Sequence, residues 1–460
     1  MSQPARSPFV DSLLQAAAQV QLPGRGIAWL DAARHDNLAA FAAAGLPDTR
    51  VEAWKYTALR ALAQRSLALG DAHAAERAID LQALRLPSLD GPRLTFVHGV
   101  FRADLSKLDE LPQGLSLQPL SEVLHGEAEP LRFALAKHYR EAGDAFAQLN
   151  AALAGDGVVL RVAAGARIAQ PVHLLFLGVP AEAAAPAHPA PAALAHPCAS
   201  DLAWHARNVI ELGEGAELSL FEHHAGLSGQ QHLGNLVSDI VLREGAKLQH
   251  TTLQDSASGS SLIRRSQLRL HARAQASLHV LELGGALTRH DLQAELVGDE
   301  AQLDTRGVFA LNGRQHADTQ LAIRHQALRT RSASVWRGVA DERSRGVFRG
   351  AIVVAEGADG TDASLSNKNL LLSAGAEIDT KPELEIYADE VKAAHGATVG
   401  QLDERALFYL RSRGIPLVEA RGMLTAAFCR AVLDSLPHEV LRNHLSDLLL
   451  AHLPSASAIP

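Results

Sequence analysis

One turn recurs through the middle of the chain and restricts its fold more than any other feature. A Gly or Ala step before an apolar residue appears as GARI (165–168), GAEL (215–218), GAKL (245–248), AQASL (274–278), EAQL (300–303), SASV (332–335), GADG (357–360) and GAEI (375–378). Anchored on alanines 166, 216, 246, 276, 301, 333, 358 and 376, most steps span 18 to 32 residues. Between the turns lie short β-compatible runs such as VVLRV, VHLLFLG and NVIELG, with no helical period. A loose period of this size predicts a parallel β-helix, in which no coil can bury its inner face alone. A β-sandwich of hairpins is the alternative. Its two-residue turns are scarce here, the clearest being Asn312-Gly313 and Asp359-Gly360. The one large gap in the period holds the Pro/Ala-rich stretch Pro180–Pro197, read as a surface loop between coils.

Outside this region the pattern is helical. Val10, Leu13, Leu14 and Ala17 recur at helical spacing, and a second helix is expected from Ala28 to Ala44, stopped by Gly45. RLTFVHGVFRADL (93–105) reads as two short strands around a Gly turn, and Leu131–Leu153 as one more helix. After Gln401, Asp403 caps a helix running through Leu410, with Gly414 at its stop. A second carries Leu417, Ala420, Leu424, Ala427, Phe428 and Ala431 on one stripe, and a third carries Leu441, Leu445, Leu448 and Leu449. The expected division is a mainly helical domain at 1–155, a β-helix core at 156–400 and a helical domain at 401–460.

The 460 residues, 47% hydrophobic and 20% charged, suffice for a large core. Lys and Arg number 43 against 51 acids, a formal charge of −8, and aromatics are 4%. A global grip on nucleic acid or anionic lipid is therefore not expected. Cys198 and Cys429 make no disulfide framework, and no CxxC pair offers a zinc site. Asp11 interrupts the N-terminal apolar stretch, and no apolar run reaches the roughly 18 residues of a membrane span. A cytoplasmic protein is expected.

Several chemistries lack their motifs. There is no GxxxxGK[ST] phosphate loop and no GxGxxG, so no ATP site is expected on this chain. Gly226-Leu227-Ser228-Gly229-Gln230 fails as a nucleophile elbow at its last position, and HExxH is absent. Glu222, His223 and His224 are the densest metal-capable set among 22 histidines. On a strand the two imidazoles face opposite ways, so polar coil surface is the expected role. Arg324, Arg329, Arg331, Arg337, Arg343, Arg345 and Arg349 read as solvated coil edges, or as a surface for an anionic partner. His395 follows LEIYADEV and precedes Gly396-Ala397-Thr398, where the β region meets the C-terminal helices; by residue type it is a structural imidazole or a ligand.

These last residues carry a resemblance. NLLLS (369–373) followed by AEIDTKPELEIYADEVKAAHGATVGQLDERALFYLRSRGI (376–415) resembles the C-terminal signature of the SufB/SufD scaffold proteins of the SUF iron–sulfur cluster assembly system. GLPDTRVEAWKYT (45–57) is similar to the N-terminal motif of the SufD branch, and the Leu417–Leu436 segment with its Ala-Phe-Cys-Arg core fits the family's last segment. The resemblance implies a mainly β fold, a right-handed parallel β-helix flanked by N-terminal and C-terminal helical domains. It implies a non-catalytic scaffold that pairs with a SufB-like chain through the β-helix and docks a SufC-like ABC-type ATPase on its C-terminal helices; a homodimer is also allowed. Glu385, Tyr387 and His395 become candidates for the SufB interface, and Leu410, Arg413, Gly414, Ile415 and Phe428 for SufC docking. His395 matches the family histidine at the site of cluster formation, as a ligand to a transient iron–sulfur cluster shared with the partner chain. Ala393 stands where the family often has cysteine, and Asn367 lies near the SufB branch's functional cysteine. Cys429 is read as packing at the stripe's edge, Cys198 as loop.

The competing reading is a β-helix carbohydrate-active enzyme. Asp291, Glu295, Asp299, Glu300 and Asp304 supply carboxylates, but at spacings that look like coil turns.

Overall fold

The computed structural model describes residues 6–70, 79–180, 201–227 and 229–453; Cys198, Ser228 and nearly all of Pro180–Pro197 lie outside that set. From Val158 onward the strands alternate between two ten-stranded sheets. Each pairs in parallel with the strand of an adjacent coil in its own sheet. From Leu202 onward paired residues lie between 26 positions apart, as Ser261 beside Leu287, and 32 apart, as Arg345 beside Glu377. In the first coil Val159 pairs with Val209, 50 positions on, and Val172 with Leu220, 48 on. The chain is thus a parallel β-helix, as its turn period predicts.

The period has a structural cause. At one corner a residue in the left-handed region donates its backbone N–H to the next coil: Gly215 to Glu244 O at 2.8 Å, Gly245 to Ala272 O at 2.9 Å, Arg273 to Asp299 O at 2.8 Å, Glu300 to Leu328 O at 2.9 Å and Arg329 to Asp359 O at 2.8 Å. A small buried residue follows each: Ala216, Ala246, Ala274, Ala301 and Thr330. Glycine takes the positive φ freely at 215 and 245, whereas Arg273, Glu300 and Arg329 hold φ of 55°, 61° and 55°. The sequence anchors at 276 and 333 therefore miss the corner by two and three residues, because arginine hides the turn at 273 and 329.

The inner faces form one continuous core running from Leu94 to Ile378. Inward positions stack in columns along the second sheet, as in Gly307, Trp336, Asn367 and Ala397. The N-terminal end is capped. Leu115–Pro119 runs antiparallel to Val158–Val162, while Arg93–Val97 extends the second sheet and turns back through Val100–Phe101.

Helical segments cover both outer faces. Helices Pro8–Ala17, Ala28–Ala44 and Ala145–Leu153 lie on the first sheet, where Phe9, Leu13, Phe41, Trp54 and Phe146 pack on Ala203, Leu233, Ile263 and Leu287. The expected helix Leu131–Leu153 is broken: only Arg132–Leu135 and Ala145–Leu153 are α-helical. The intervening backbone is committed elsewhere. The Asn37 side chain accepts from Tyr139 N at 3.1 Å and donates to Lys137 O at 2.9 Å, while Trp54 Nε1 donates to Gly143 O at 3.1 Å.

On the second sheet, helices Leu417–Leu433 and Glu439–His452 bury Cys429, Val432, Leu433, Leu441, Leu445 and Leu449 against Phe221, Leu253, Leu281, Val308 and Val339. The buried face of the first of these helices is Ala420, Thr425, Cys429, Val432 and Leu433. It is not the expected stripe: Leu417 is exposed, as are Ala427 and Ala431. Cys429 sits at the centre of the packed face because the sheet and the last helix meet there. No described helix is long and apolar enough to cross a membrane.

Replacing Gly307 with alanine places a Cβ inside the ring of fully buried Trp336. We expect a loss of ~1–3 kcal/mol, read as a lower urea midpoint at unchanged slope.

Candidate functional site

The last coil consists of the strands Glu377–Ile386 and Val391–Gly400. Each is hydrogen-bonded to the preceding coil on one edge, and no described residue pairs with the other. Alternation sets which side chains face the lumen. His395 stands beside Leu365, a core residue of the preceding coil, so it belongs to the inward column together with Ala393 and Ala397. No further coil covers it, and it is exposed, with no hydrogen-bond partner among the described residues. On the other strand Leu384 stands beside buried Ile352 and faces inward, which turns Glu385 outward. Tyr387 follows that strand, 62% exposed, and its hydroxyl donates to Glu385 Oε2 at 3.3 Å. The structure thus joins Glu385 to Tyr387 on the outer rim and sets His395 on the lumen side of the same open end.

The lumen behind this end is polar. Asn367, fully buried, accepts from Thr380 Oγ1 at 2.8 Å and from the Asn369 amide at 2.6 Å. Deeper in, Arg264 reaches Glu222 at 3.3 Å and Glu282 at 3.1 Å, and the Glu222 carboxylate holds His224 at 2.6 Å. This corrects the reading of Glu222, His223 and His224 as polar coil surface, since all three are buried. Glu222 and His224 point into the lumen, while His223 faces the outer cover beside His173. The Glu222 carboxyl is held well below its ordinary range: burial opposes ionisation, and the bonds from His224 and His250 overcome it.

Among the described residues no group of three or more His, Cys, Asp or Glu is arranged to hold a metal ion. Burial pushes the Cys429 thiol up to about 12, which keeps it from the thiolate form that binds iron.

The C-terminal candidates lie on the helix Glu404–Ser412 and just beyond. Asp403 caps that helix, accepting from Arg405 N at 2.9 Å. Gly414, at φ 86°, ends it while Ile415 N bonds to Leu410 O at 3.3 Å. The Arg413 guanidinium lies 4.4 Å from the Tyr409 ring centroid. Phe408 and Tyr409, which the residue-type reading passed over, are 75% and 54% exposed. Phe428 is placed differently: it is half-buried, with Arg337 5.5 Å from its ring centroid. Leu410 and Ile415 are half-buried too, whereas Arg413 and Gly414 are exposed.

The N-terminal motif also acquires a physical role. The Trp54 ring lies 4.0 Å from the Arg289 guanidinium, which pairs with Asp318 and, at 2.7 Å, with Asp291. Thr57 bonds to Asp318, and Glu52 pairs with Lys381 on the last coil at 2.6 Å. The residue pattern around 52–57 is thus a clamp across successive coils. No periodicity could show this, because its partners lie more than two hundred residues away.

The basic stretch resolves in the same way. Arg329 pairs with Glu300 at 3.2 Å, Arg345 with Asp379 at 2.9 Å and Arg349 with Glu383 at 2.6 Å. For these three of the seven arginines the anionic counterpart is the neighbouring coil of the chain itself. The five carboxylates of the carbohydrate-enzyme reading are likewise held by arginines: Asp291 by Arg289, Glu295 by Arg269, Asp299 and Glu300 by Arg329, and Asp304 by Arg306.

Fold and site together define a helix-flanked β-solenoid with one capped end and one open end bearing a histidine. The sequence comparisons place it further. Residues 196–428 match the SUF system FeS cluster assembly SufBD core domain, and residues 13–174 the SufBD N-terminal region. The iron–sulfur cluster assembly protein SufD of Escherichia coli is 31% identical, over 90% of each chain. An iron–sulfur cluster assembly SufBD family protein of Synechocystis is 30% identical, over 87% of this chain and 86% of the relative. This chain belongs to the SufBD family of iron–sulfur cluster assembly proteins.

Burial pushes His173 and His205 down to about 3, and His279, His316 and His325 to about 4. Each is neutral when folded and takes a proton below about 6.5 when unfolded, so its contribution is present above that value and lost as pH falls. The urea stability should fall between pH 6.5 and 4, by up to ~1.4 kcal/mol per pH unit for each such histidine. Equilibrium unfolding at successive pH values measures the slope; a flat profile through this window would contradict the burial of these rings.

Proposed function

We propose that this chain is the SufD-type half of a scaffold on which iron–sulfur clusters are assembled. The observation that carries the reading is the asymmetry of the solenoid: strands and helices close its N-terminal end, while the last coil is left uncapped. An uncapped coil exposes backbone donors and acceptors along two strand edges and apolar area at Ile386, Tyr387 and Val399, which are 43%, 62% and 42% exposed. A SufB-like β-helix would satisfy these edges by continuing both sheets. The cluster, as cargo, would then form where the two solenoids meet, with His395 supplying one neutral imidazole and the partner the remaining ligands. An imidazole leaves iron more readily than a thiolate does, which suits a site that must release what it builds.

A SufC-like ATPase would dock on the C-terminal helices. Phe408 and Tyr409 protrude from Glu404–Ser412, and an apolar groove of about 690 Å³ runs along Val418, Met423, Ala427 and Leu450. This groove is the side of the helix that does not pack on the sheet. ATP chemistry would belong to the partner, and the helices would carry its motion to the open coil.

The test is co-expression with the SufB-like and SufC-like chains, followed by size exclusion with mass detection. Phe408→Asp with Tyr409→Ala is expected to release the ATPase at least tenfold more readily and to keep the SufB-like chain bound. His395→Ala is expected to leave the complex intact and slow cluster assembly at least tenfold. A complex carrying His395→Ala that assembles clusters at the unaltered rate would refute the role of the imidazole.

A further inference from the structure

The two helical covers are fastened to the solenoid by different chemistry. The N-terminal cover is held by ion pairs: Asp144 takes Arg265 at 2.8 Å, Glu52 takes Lys381 at 2.6 Å, and Lys137 pairs with Asp239. Among the described residues no ion pair joins the C-terminal cover, 404–453, to the rest of the chain. Histidines line that seam instead. His279 Nε2 lies 3.0 Å from Ser435 Oγ, and Asn312 Nδ2 donates to His452 Nε2 at 3.4 Å. Under the last helix His173 stacks on His223, with ring centroids 5.9 Å apart, and His444 faces both. His173 and His223 are each 3% exposed. Among the described residues His173 Nε2, both nitrogens of His223 and His444 Nε2 have no hydrogen-bond partner.

We propose that these five imidazoles form a proton-sensitive latch: the C-terminal cover docks on the second sheet while the rings are neutral, and lifts away when they take protons, with the solenoid still folded. The surroundings of the rings disfavour charge. Arg93 stands beside His173, Arg306 beside His279, and His224 behind His223. Asp304 faces His279 and Asp447 faces His444, each favouring a charged ring, while Asp255 and Arg85 border the seam between His223 and His452. Burial outweighs the carboxylates and holds all five rings below the ordinary histidine value, His173 at about 3 and His279 at about 4. A proton on His452 Nε2 also removes the acceptor that Asn312 uses. Undocking returns the rings to water, so their support for the docked cover is present above about pH 6.5 and is lost as pH falls toward about 4. The carboxylates that fasten the N-terminal cover stay ionised through most of that window. The latch is a property of this chain alone and does not depend on which partner the cover meets.

Cys429, fully buried in the seam, reports its opening. In the full chain carrying Cys198→Ser, labelling by 4,4′-dithiodipyridine is timed from about pH 7 to about pH 4.5 and divided by the rate for free cysteine at the same pH. Circular dichroism of the β signal follows the solenoid in the same samples. The normalised rate should rise at least tenfold by about pH 5 while the β signal holds. Adding His223→Leu/His444→Leu should cut that rise at least threefold, because two of the proton acceptors are gone. Should that variant not fold, His279→Gln/His452→Gln makes the same comparison, with the same reduction expected. A flat rate with all five histidines present would overturn the inference. So would an equal rise with and without the substitutions, or loss of the β signal in step with the labelling.

Discussion

No coil of this chain can hide its inner face except against the coils on either side, and the rest of the architecture follows from that dependence. Parallel pairing in register puts leucines, phenylalanines and Trp336 into columns, so that burial at one coil is completed by the next. The corner ladder from Gly215 to Arg329 keeps the register by spending one backbone hydrogen bond per coil. Such a stack has two ends, and each must be dealt with. Strands that reverse direction close one of them. The other keeps its edges open, and that is where His395 stands.

The helices make sense as covers for the two outer faces. The N-terminal group clamps the first sheet through Trp54 on Arg289 and Glu52 on Lys381. The C-terminal pair seals the second sheet with Cys429, Leu441 and Leu445. The apolar contacts of both groups stop short of the last coil, which the N-terminal group reaches through Glu52. Deleting the C-terminal segment would therefore strip the cover from Phe221, Leu253 and Val308, which is why point changes at protruding residues discriminate better than truncation.

Much of this was legible in the residues. The turn period gave the solenoid because a glycine–alanine corner is a backbone requirement that recurs with each coil. It lost register where Arg273 and Arg329 adopt the left-handed corner, since nothing in an arginine announces a positive φ. The flanking helices Ala28–Ala44, Leu417–Leu433 and Glu439–His452 were visible from their caps and periods, but the buried face of Leu417–Leu433 was not. Its apolar residues wrap around more than one side, and only the sheet decides which side is covered. The lumen charges at Glu222, His224 and Arg264 defied the expectation that polar residues on a strand face water. They are buried because they answer one another. The place of His395 on the inward column needed the register with Leu365, which no single strand reveals.

The central claim is that the last coil is an unfinished sheet awaiting strands from a partner. Hydrogen–deuterium exchange of the backbone at 377–400, with and without a bound SufB-like chain, measures it most directly. The account predicts rapid exchange along the outer edges of Glu377–Ile386 and Val391–Gly400 in the free chain, and strong protection of those amides in the complex. Unchanged exchange there in a complex known to have formed would contradict it, and would place the contact elsewhere on the molecule.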